Sequence, residues 1–190
     1  MRIGVDLDGV IVDSVRYWVR VLNRELGTNY RSGDLPDTYA TAELAACCDR
    51  HELEMLIAPP PLPGAVAGVS HLKELGHTLI VITARAPRLR PLTEAWLTYY
   101  GLRVDDLHFL QGGSKVPVAQ AQGLDLMVED APHNATALAQ AGVPVFLFGA
   151  PYNEGIRHKR IQRCANWDDV LTRVRSEGEL PAVARRLAGL

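Results

Sequence analysis

Residues 2–10 read Arg2-Ile3-Gly4-Val5-Asp6-Leu7-Asp8-Gly9-Val10. A short apolar run passes directly into two acids one residue apart. Side chains alternate along an extended chain, so Asp6 and Asp8 share a side. Gly9 then permits a tight turn and a close backbone approach. Two carboxylates at the end of a buried strand are costly unless a cation or a reaction uses them. A calcium loop also begins with two acids at this spacing. Counted from Asp6, however, its next ligand position falls on Val10 and its turn glycine on Ile11, which excludes that reading. Capping or surface acids are the plain alternative, and the buried-strand flanks argue against them. A metal-assisted phosphoryl-transfer site is the third reading.

Four further apolar runs follow, at 78–83 (TLIVIT), 107–110, 124–129 and 143–148. Helical patterns lie between them. Val15, Trp18, Val19, Leu22 and Leu26 recur at helical spacing after Asp13-Ser14 and stop at Gly27. Val69, Leu72 and Leu75 stop at Gly76. Leu92, Trp96, Leu97 and Tyr100 stop at Gly101, and 135–141 stops at Gly142. Helical patterns at 167–174 and 180–187 form a tail. Near-continuous apolar strands alternating with helices predict an α/β three-layer sandwich. Its sheet is expected to be mostly parallel, with five strands.

The rhythm breaks between 12 and 64, where no convincing strand appears. Helical patterns at 13–26 and about 41–57 flank a polar, turn-rich piece. The stretch closes with the stiff run Pro59-Pro60-Pro61-Leu62-Pro63-Gly64. A structureless loop of this length would be unusual. The expected organisation is a core of 1–11 plus 65–190, with a small helical cap at 12–64 inserted after the first strand.

Of the 190 residues, 47% are hydrophobic and 22% charged, which excludes whole-chain disorder, collagen and coiled coil. A net charge of −2 gives no basic surplus for a nucleic-acid polymer. No apolar run approaches the roughly 20 residues that span a bilayer, and Asp6 and Asp8 interrupt any secretory signal, so no membrane association is expected. Cys47, Cys48 and Cys164 have no metal spacing, and an odd count fits a reducing, cytoplasmic setting.

Other chemistry-bearing residues also sit at predicted strand ends or helix starts. The second run ends in Thr83-Ala84-Arg85, where a hydroxyl and a backbone N–H can meet a phosphate oxygen. Gln111-Gly112-Gly113-Ser114-Lys115 brings a lysine to a helix start. The fourth run ends in Glu129-Asp130, a second acidic pair. Mg²⁺ binds through few carboxylates plus water. Ligands of open α/β sheets bind beyond the carboxyl ends of strands.

This set resembles the haloacid dehalogenase superfamily of phosphohydrolases. The matching motifs are DLDGV (Asp6, Asp8), ITAR (Thr83), Lys115 and VEDAPHN (Glu129, Asp130), and the resemblance spans essentially the whole chain. It implies a Rossmann-like core, strand order 5-4-1-2-3 and a helical cap. The 5′(3′)-deoxyribonucleotidase-like branch is more similar still, through Thr93-x-x-Trp96-Leu97, Phe146-Leu147-Phe148, Pro151-Tyr152-Asn153 and Asn166-Trp167. The chain departs from that branch at Ala84-Arg85 (commonly Ser-Pro), at Glu129 (commonly Asp) and at Ser14 (commonly an aromatic).

The resemblance implies an aspartyl-phosphate mechanism for a phosphomonoester. Asp6 is then nucleophile, and Asp8 is general acid and then base. Thr83, Ala84 and Lys115 hold phosphate. Asp6, Asp8 (through its carbonyl), Asp130 and Glu129, directly or through water, hold Mg²⁺. The expected substrate is a small phosphorylated metabolite such as a nucleoside monophosphate. Alternatives are a sugar-phosphate phosphatase or a non-catalytic phospholigand-binding protein. Of the insert aromatics Tyr17, Trp18, Tyr30 and Tyr39, Trp18 falls on the apolar helix stripe and reads as core, while Tyr17 reads as a substrate contact. Arg85 is a second substrate candidate, and Arg88 reads as solvated surface. The basic cluster at 157–160 with Arg163 reads as a solvated face or loop. A homodimer is compatible with a chain of this size.

Overall fold

The computed structural model describes residues 1–33 and 41–179. Tyr39 and the expected helix at 180–187 lie outside the described residues. The strands are β1 (Arg2–Val5), β2 (Thr78–Thr83), β3 (Asp106–Phe109), β4 (Leu126–Glu129), β5 (Val145–Phe148) and β6 (Ile161–Cys164). They form one sheet in the order β3-β2-β1-β4-β5-β6, and every adjacent pair is parallel.

The expected five strands are thus six. Ile161–Cys164 escaped the apolar criterion because β6 is an edge strand, buried only at Cys164. A central parallel strand is covered on both faces and reads as a near-continuous apolar run, as Leu79–Ile82 does within β2; an edge strand need not. The basic stretch read as loop or solvated face therefore runs into a strand, and Arg163 belongs to it.

Helices α1 (Ser14–Leu26), α2 (Ala42–Arg50) and α3 (Glu52–Ile57) lie between β1 and β2. The single helix expected over 41–57 is two, because the chain leaves helical geometry at His51, with φ −104° and ψ 13°. The Thr41 side chain caps α2 by accepting from the Leu44 N–H at 3.1 Å. Leu22, Leu44 and Cys47 form a small cluster of their own, with Leu26, Tyr30 and Cys48 packed against it. This cluster is separate from the two that fill the faces of the sheet.

The outgoing and returning chains of this helical group touch. Val12 bridges antiparallel to Pro61. The Asp13 N–H donates to the Pro60 carbonyl at 2.9 Å, and the Leu62 N–H donates to the Ile11 carbonyl at 2.8 Å. A paired two-strand link joins the helical group to the sheet.

The remaining helices are α4 (Ala65–Glu74), α5 (Arg90–Tyr99), α6 (Val116–Ala121), α7 (Pro132–Gln140) and α8 (Trp167–Glu179). Trp167 anchors α8 under the site. It is buried, and its Nε1–H donates to the Val10 carbonyl at 2.9 Å. A Cβ added at Gly68 would lie 2.4 Å from its ring, so α4 needs glycine there to meet α8.

Candidate active site

Parallel order makes the site. β1, β2 and β4 are adjacent, so Asp6 and Asp8 after β1, Thr83 ending β2, and Glu129 and Asp130 at the end of β4 converge at one edge. Asp6 is still tied to the sheet by its N–H on the Val128 carbonyl at 2.9 Å. The chain then turns: the Ile11 and Val12 N–H groups both donate to the Leu7 carbonyl. Gly9 takes φ 79° in this turn. A Cβ there would stand 2.0 Å from Asp130 Oδ2, so β1 and β4 can bring their acids together only over a glycine.

Lys115 enters from the start of α6 and is 1% exposed. Its Nζ lies 2.7 Å from both Asp6 Oδ1 and Glu129 Oε2. Burial works against the ammonium, but the charges of Asp6 and Glu129 hold its pKa above the ordinary lysine value. Oxygens of Asp6, Glu129 and Asp130 lie within 4.8 Å of one another, and all three residues are buried. One ammonium among three buried carboxylates leaves negative charge unbalanced. Burial and the Glu129 charge accordingly raise the proton affinity of Asp6 well above the ordinary carboxylate value, against the pull of Lys115. Burial and Glu129 likewise push Asp130 up to about 7.

This oxygen-donor set with surplus charge fits a hard divalent cation. Its members are not equivalent. Both Glu129 oxygens are engaged, Oε2 by Lys115 at 2.7 Å and Oε1 by the Ala131 N–H at 3.0 Å. Asp6 Oδ1 accepts from the Leu7 N–H at 2.7 Å as well as from Lys115. Asp130 Oδ2 accepts from the Tyr152 hydroxyl.

Thr83 is fully buried, and its Oγ1 accepts from the Arg85 N–H at 3.2 Å. That bond leaves the hydroxyl proton to donate elsewhere. The Ala84 carbonyl accepts from the Gly112 N–H and the Arg85 carbonyl from the Gln111 N–H, which ties the loop before Lys115 to the end of β2. Gln111 adopts φ 49°, the left-handed region unusual for this residue type.

Between this edge and the helical group lies a cavity of about 430 Å³. Asp8, Ala84, Arg85 and Gln111 line it from the sheet side, and Trp18, Asp49, Glu52 and Met55 from the helices. Trp18, expected in a core, lines the cavity instead, steered by its Nε1–H bond to the Met55 carbonyl at 2.9 Å. Tyr17, expected to meet substrate, is not among the lining residues. Its hydroxyl points to Glu54 Oε1 at 3.5 Å, and the Arg20 guanidinium sits 5.6 Å from its ring centre. One step along a helix rotates a side chain by about 100°, so the stripe was identified while the layer it faces was not.

Arg85, expected as a substrate contact, lines the cavity and is also engaged by Asp8. It is 5% exposed and lies in a forked pair with Asp8, at 2.9 and 2.8 Å. Arg88, expected as solvated surface, is indeed exposed, and from the cavity rim its guanidinium also bridges to Glu52 at 2.5 Å. The contributions of Asp49, Glu52 and Met55 carry no motif in the sequence. Only the packing of α2 and α3 reveals them.

Comparisons with known proteins bear on the family and the fold. Residues 1–177 match the model of the family described as 5′ nucleotidase, deoxy (Pyrimidine), cytosolic type C protein. A provisionally named nucleotidase of Bacillus subtilis, YqfW, is 31% identical over 175 residues, covering 88% of this chain and 90% of the relative. A nucleotidase of Clostridium acetobutylicum is 28% identical over 176 residues, covering 90% and 91%. Among solved structures, a haloacid dehalogenase-like hydrolase of Streptococcus pneumoniae superposes with a TM-score of 0.65 at 13% identity, covering 91% of this chain and 97% of that one. Acids, lysine and threonine converging at the edge of such a sheet, with the family match over nearly the whole chain, place the protein in the cytosolic type C 5′-nucleotidase family, whose members are phosphomonoesterases of the haloacid dehalogenase superfamily.

Proposed function

We propose that this chain is a Mg²⁺-dependent phosphatase of nucleoside monophosphates, with residues 12–64 serving as the cap that receives the nucleoside. The observation that carries the reading is the Asp6–Lys115–Glu129–Asp130 cluster: buried, rich in oxygen donors and short of positive charge, with a cavity opening beside it. Nucleotidase names among its relatives support the substrate class.

In this reading Asp8 takes a proton from solvent as substrate enters, one of its oxygens turning from Arg85 toward the leaving group. The Asp6 carboxylate then attacks phosphorus, and the bond to the leaving alcohol breaks as Asp8 gives that oxygen the proton. Asp8 then removes a proton from water, which attacks the aspartyl-phosphate and frees inorganic phosphate and Asp6. Thr83 Oγ1–H, the Ala84 N–H and Lys115 bind the transferring oxygens. Asp6, Asp130 and the Asp8 carbonyl would hold the cation, and Glu129 orients Lys115 beside them. A cation held there would offset the repulsion between carboxylate and phosphate. Arg85 orients Asp8, and Trp18 offers a flat face to the base.

We also place the protein in the cytoplasm. The family description is cytosolic, Cys47 and Cys48 form no disulfide, and no described helix is long and apolar enough to cross a membrane. The test is phosphate release from nucleoside 3′- and 5′-monophosphates, their deoxy forms and sugar phosphates, with Mg²⁺, with EDTA and with Asp6→Asn. Release that needs Mg²⁺, favours nucleotides and disappears in Asp6→Asn is expected. Preference for a sugar phosphate would overturn the substrate class, and no release from any compound would overturn the catalytic reading.

A further inference from the structure

The segment after β5 surrounds Asp130 with a second set of contacts. Pro151–Asn153 forms a single 3-10 turn. The Tyr152 hydroxyl donates to Asp130 Oδ2, the same oxygen that stands where a Cβ of Gly9 would be. Oδ2 is therefore enclosed between a donor and a glycine backbone, while Oδ1 lies farther from that Cβ position, at 3.3 Å.

The next residue holds the backbone of the same acid. Asn153 is 1% exposed. Its Nδ2 donates to the Asp130 carbonyl at 2.7 Å and to the Phe148 carbonyl at 2.9 Å. Its own oxygens accept from Arg163, the carbonyl at 2.8 Å and Oδ1 at 3.1 Å. One turn thus grips Asp130 at main chain and side chain, and Arg163 of β6 secures the turn. A half-buried arginine fork and a buried asparagine with every group paired make a stiff mount.

We infer that Tyr152 is a positioning residue for the divalent cation: by holding Oδ2 it presents Oδ1 of Asp130 toward Asp6. This rests on reading the acidic cluster as the cation site. Partners that orient a ligating carboxylate are commonly worth about 10- to 100-fold in metal affinity. Tyr152 acts through Asp130 and needs no contact with substrate. Being half-buried, it leaves a phenylalanine the same space.

The experiment measures Mn²⁺ binding to the full chain by electron paramagnetic resonance and calorimetry, for the native protein, Tyr152→Phe and Asp130→Asn. Tyr152→Phe is expected to weaken Mn²⁺ about 10- to 100-fold. Its turnover should recover at high Mg²⁺, with the nucleotide KM unmoved. Unchanged or tighter Mn²⁺ binding, while Asp130→Asn abolishes it, would overturn the role of Tyr152 alone. Binding untouched by Asp130→Asn would overturn the cation reading with it. A variant with 3-fluorotyrosine at position 152 keeps the hydroxyl and the fold. Its ¹⁹F resonance should shift with Mg²⁺ at the native binding midpoint, and an unmoved resonance would count against the inference.

Discussion

Arg85 holds the carboxylate of Asp8 at both oxygens, Nε on Oδ2 at 2.9 Å and Nη2 on Oδ1 at 2.8 Å, while its Nη1 reaches Thr93 at 3.3 Å. The guanidinium is buried and the carboxylate is at the cavity wall. The end of β2 thereby sets the orientation of an acid that follows β1. A lysine keeps the charge and loses the planar fork. Arg85→Lys is expected to lower kcat by about tenfold or more through misplacement of Asp8, with KM little changed. Steady-state kinetics on the preferred nucleotide checks this; equal kcat would remove the orienting role.

Lys115 is the positive charge set between Asp6 and Glu129. Removing one partner of a buried ion pair costs about 3–5 kcal/mol. At about 2–4 °C per kcal/mol for a chain this long, Lys115→Met should lower Tm by roughly 10 °C. Mg²⁺ should recover part of that fall, because a cation at the cluster replaces some of the missing charge. Calorimetry with and without Mg²⁺ measures both.

Asp6 and Asp130 bind protons more tightly in the folded chain than exposed carboxylates do, Asp130 with a value of about 7. Between roughly pH 4 and 7 the folded state then carries more protons than the unfolded state. Its stability therefore falls as pH rises through that window. Mg²⁺ takes the place of those protons, so its stabilisation should be larger at pH 7 than at pH 5. Thermal scans of the cation-free protein across this range test the sign: a Tm that climbs from these groups' ionisation would contradict it.

Trp18 stands on the cavity wall opposite Asp8 and Ala84. Stacking of a base on an aromatic ring is worth about 1–3 kcal/mol. Trp18→Ala should therefore raise the nucleotide KM roughly tenfold or more, while inhibition by inorganic phosphate, which has no base, stays the same. Loss of both affinities together would instead point to collapse of the cavity.

Gly9 cannot be replaced cheaply, since its φ of 79° and the 2.0 Å approach of Asp130 Oδ2 both exclude a side chain. Gly9→Ala is expected to abolish phosphate release and Mn²⁺ binding while the far-ultraviolet circular dichroism stays native. Backbone strain of about 1–2 kcal/mol leaves the fold standing; displacement of Asp130 does not leave the site standing.

Much of this protein is legible along the chain, because a buried parallel strand must be apolar and a functional acid at its end interrupts that run. Asp6, Asp8, Thr83, Glu129 and Asp130 each mark such an interruption, and Lys115 follows a glycine turn. Alternation of these strands with helices determined the α/β class, and the gap between 12 and 64 marked the helical insertion. Residues whose roles depend on a distant partner carry no such mark. Arg85 and Arg88 look alike in sequence, yet one is buried on Asp8 and the other reaches across the cavity to Glu52. Tyr17 and Trp18 differ by one helical step, and only the packing of α1 on α3 decides which of them lines the cavity. β6 was hidden because an edge strand has one neighbour and need not be apolar, and Arg163 looked like solvent-facing charge until that pairing turned it onto Asn153. Local periodicity and strand-end chemistry are properties of consecutive residues, so the sequence alone determined them. The orientation of a long polar side chain depends on what the fold brings within its reach, and that was decided only in three dimensions.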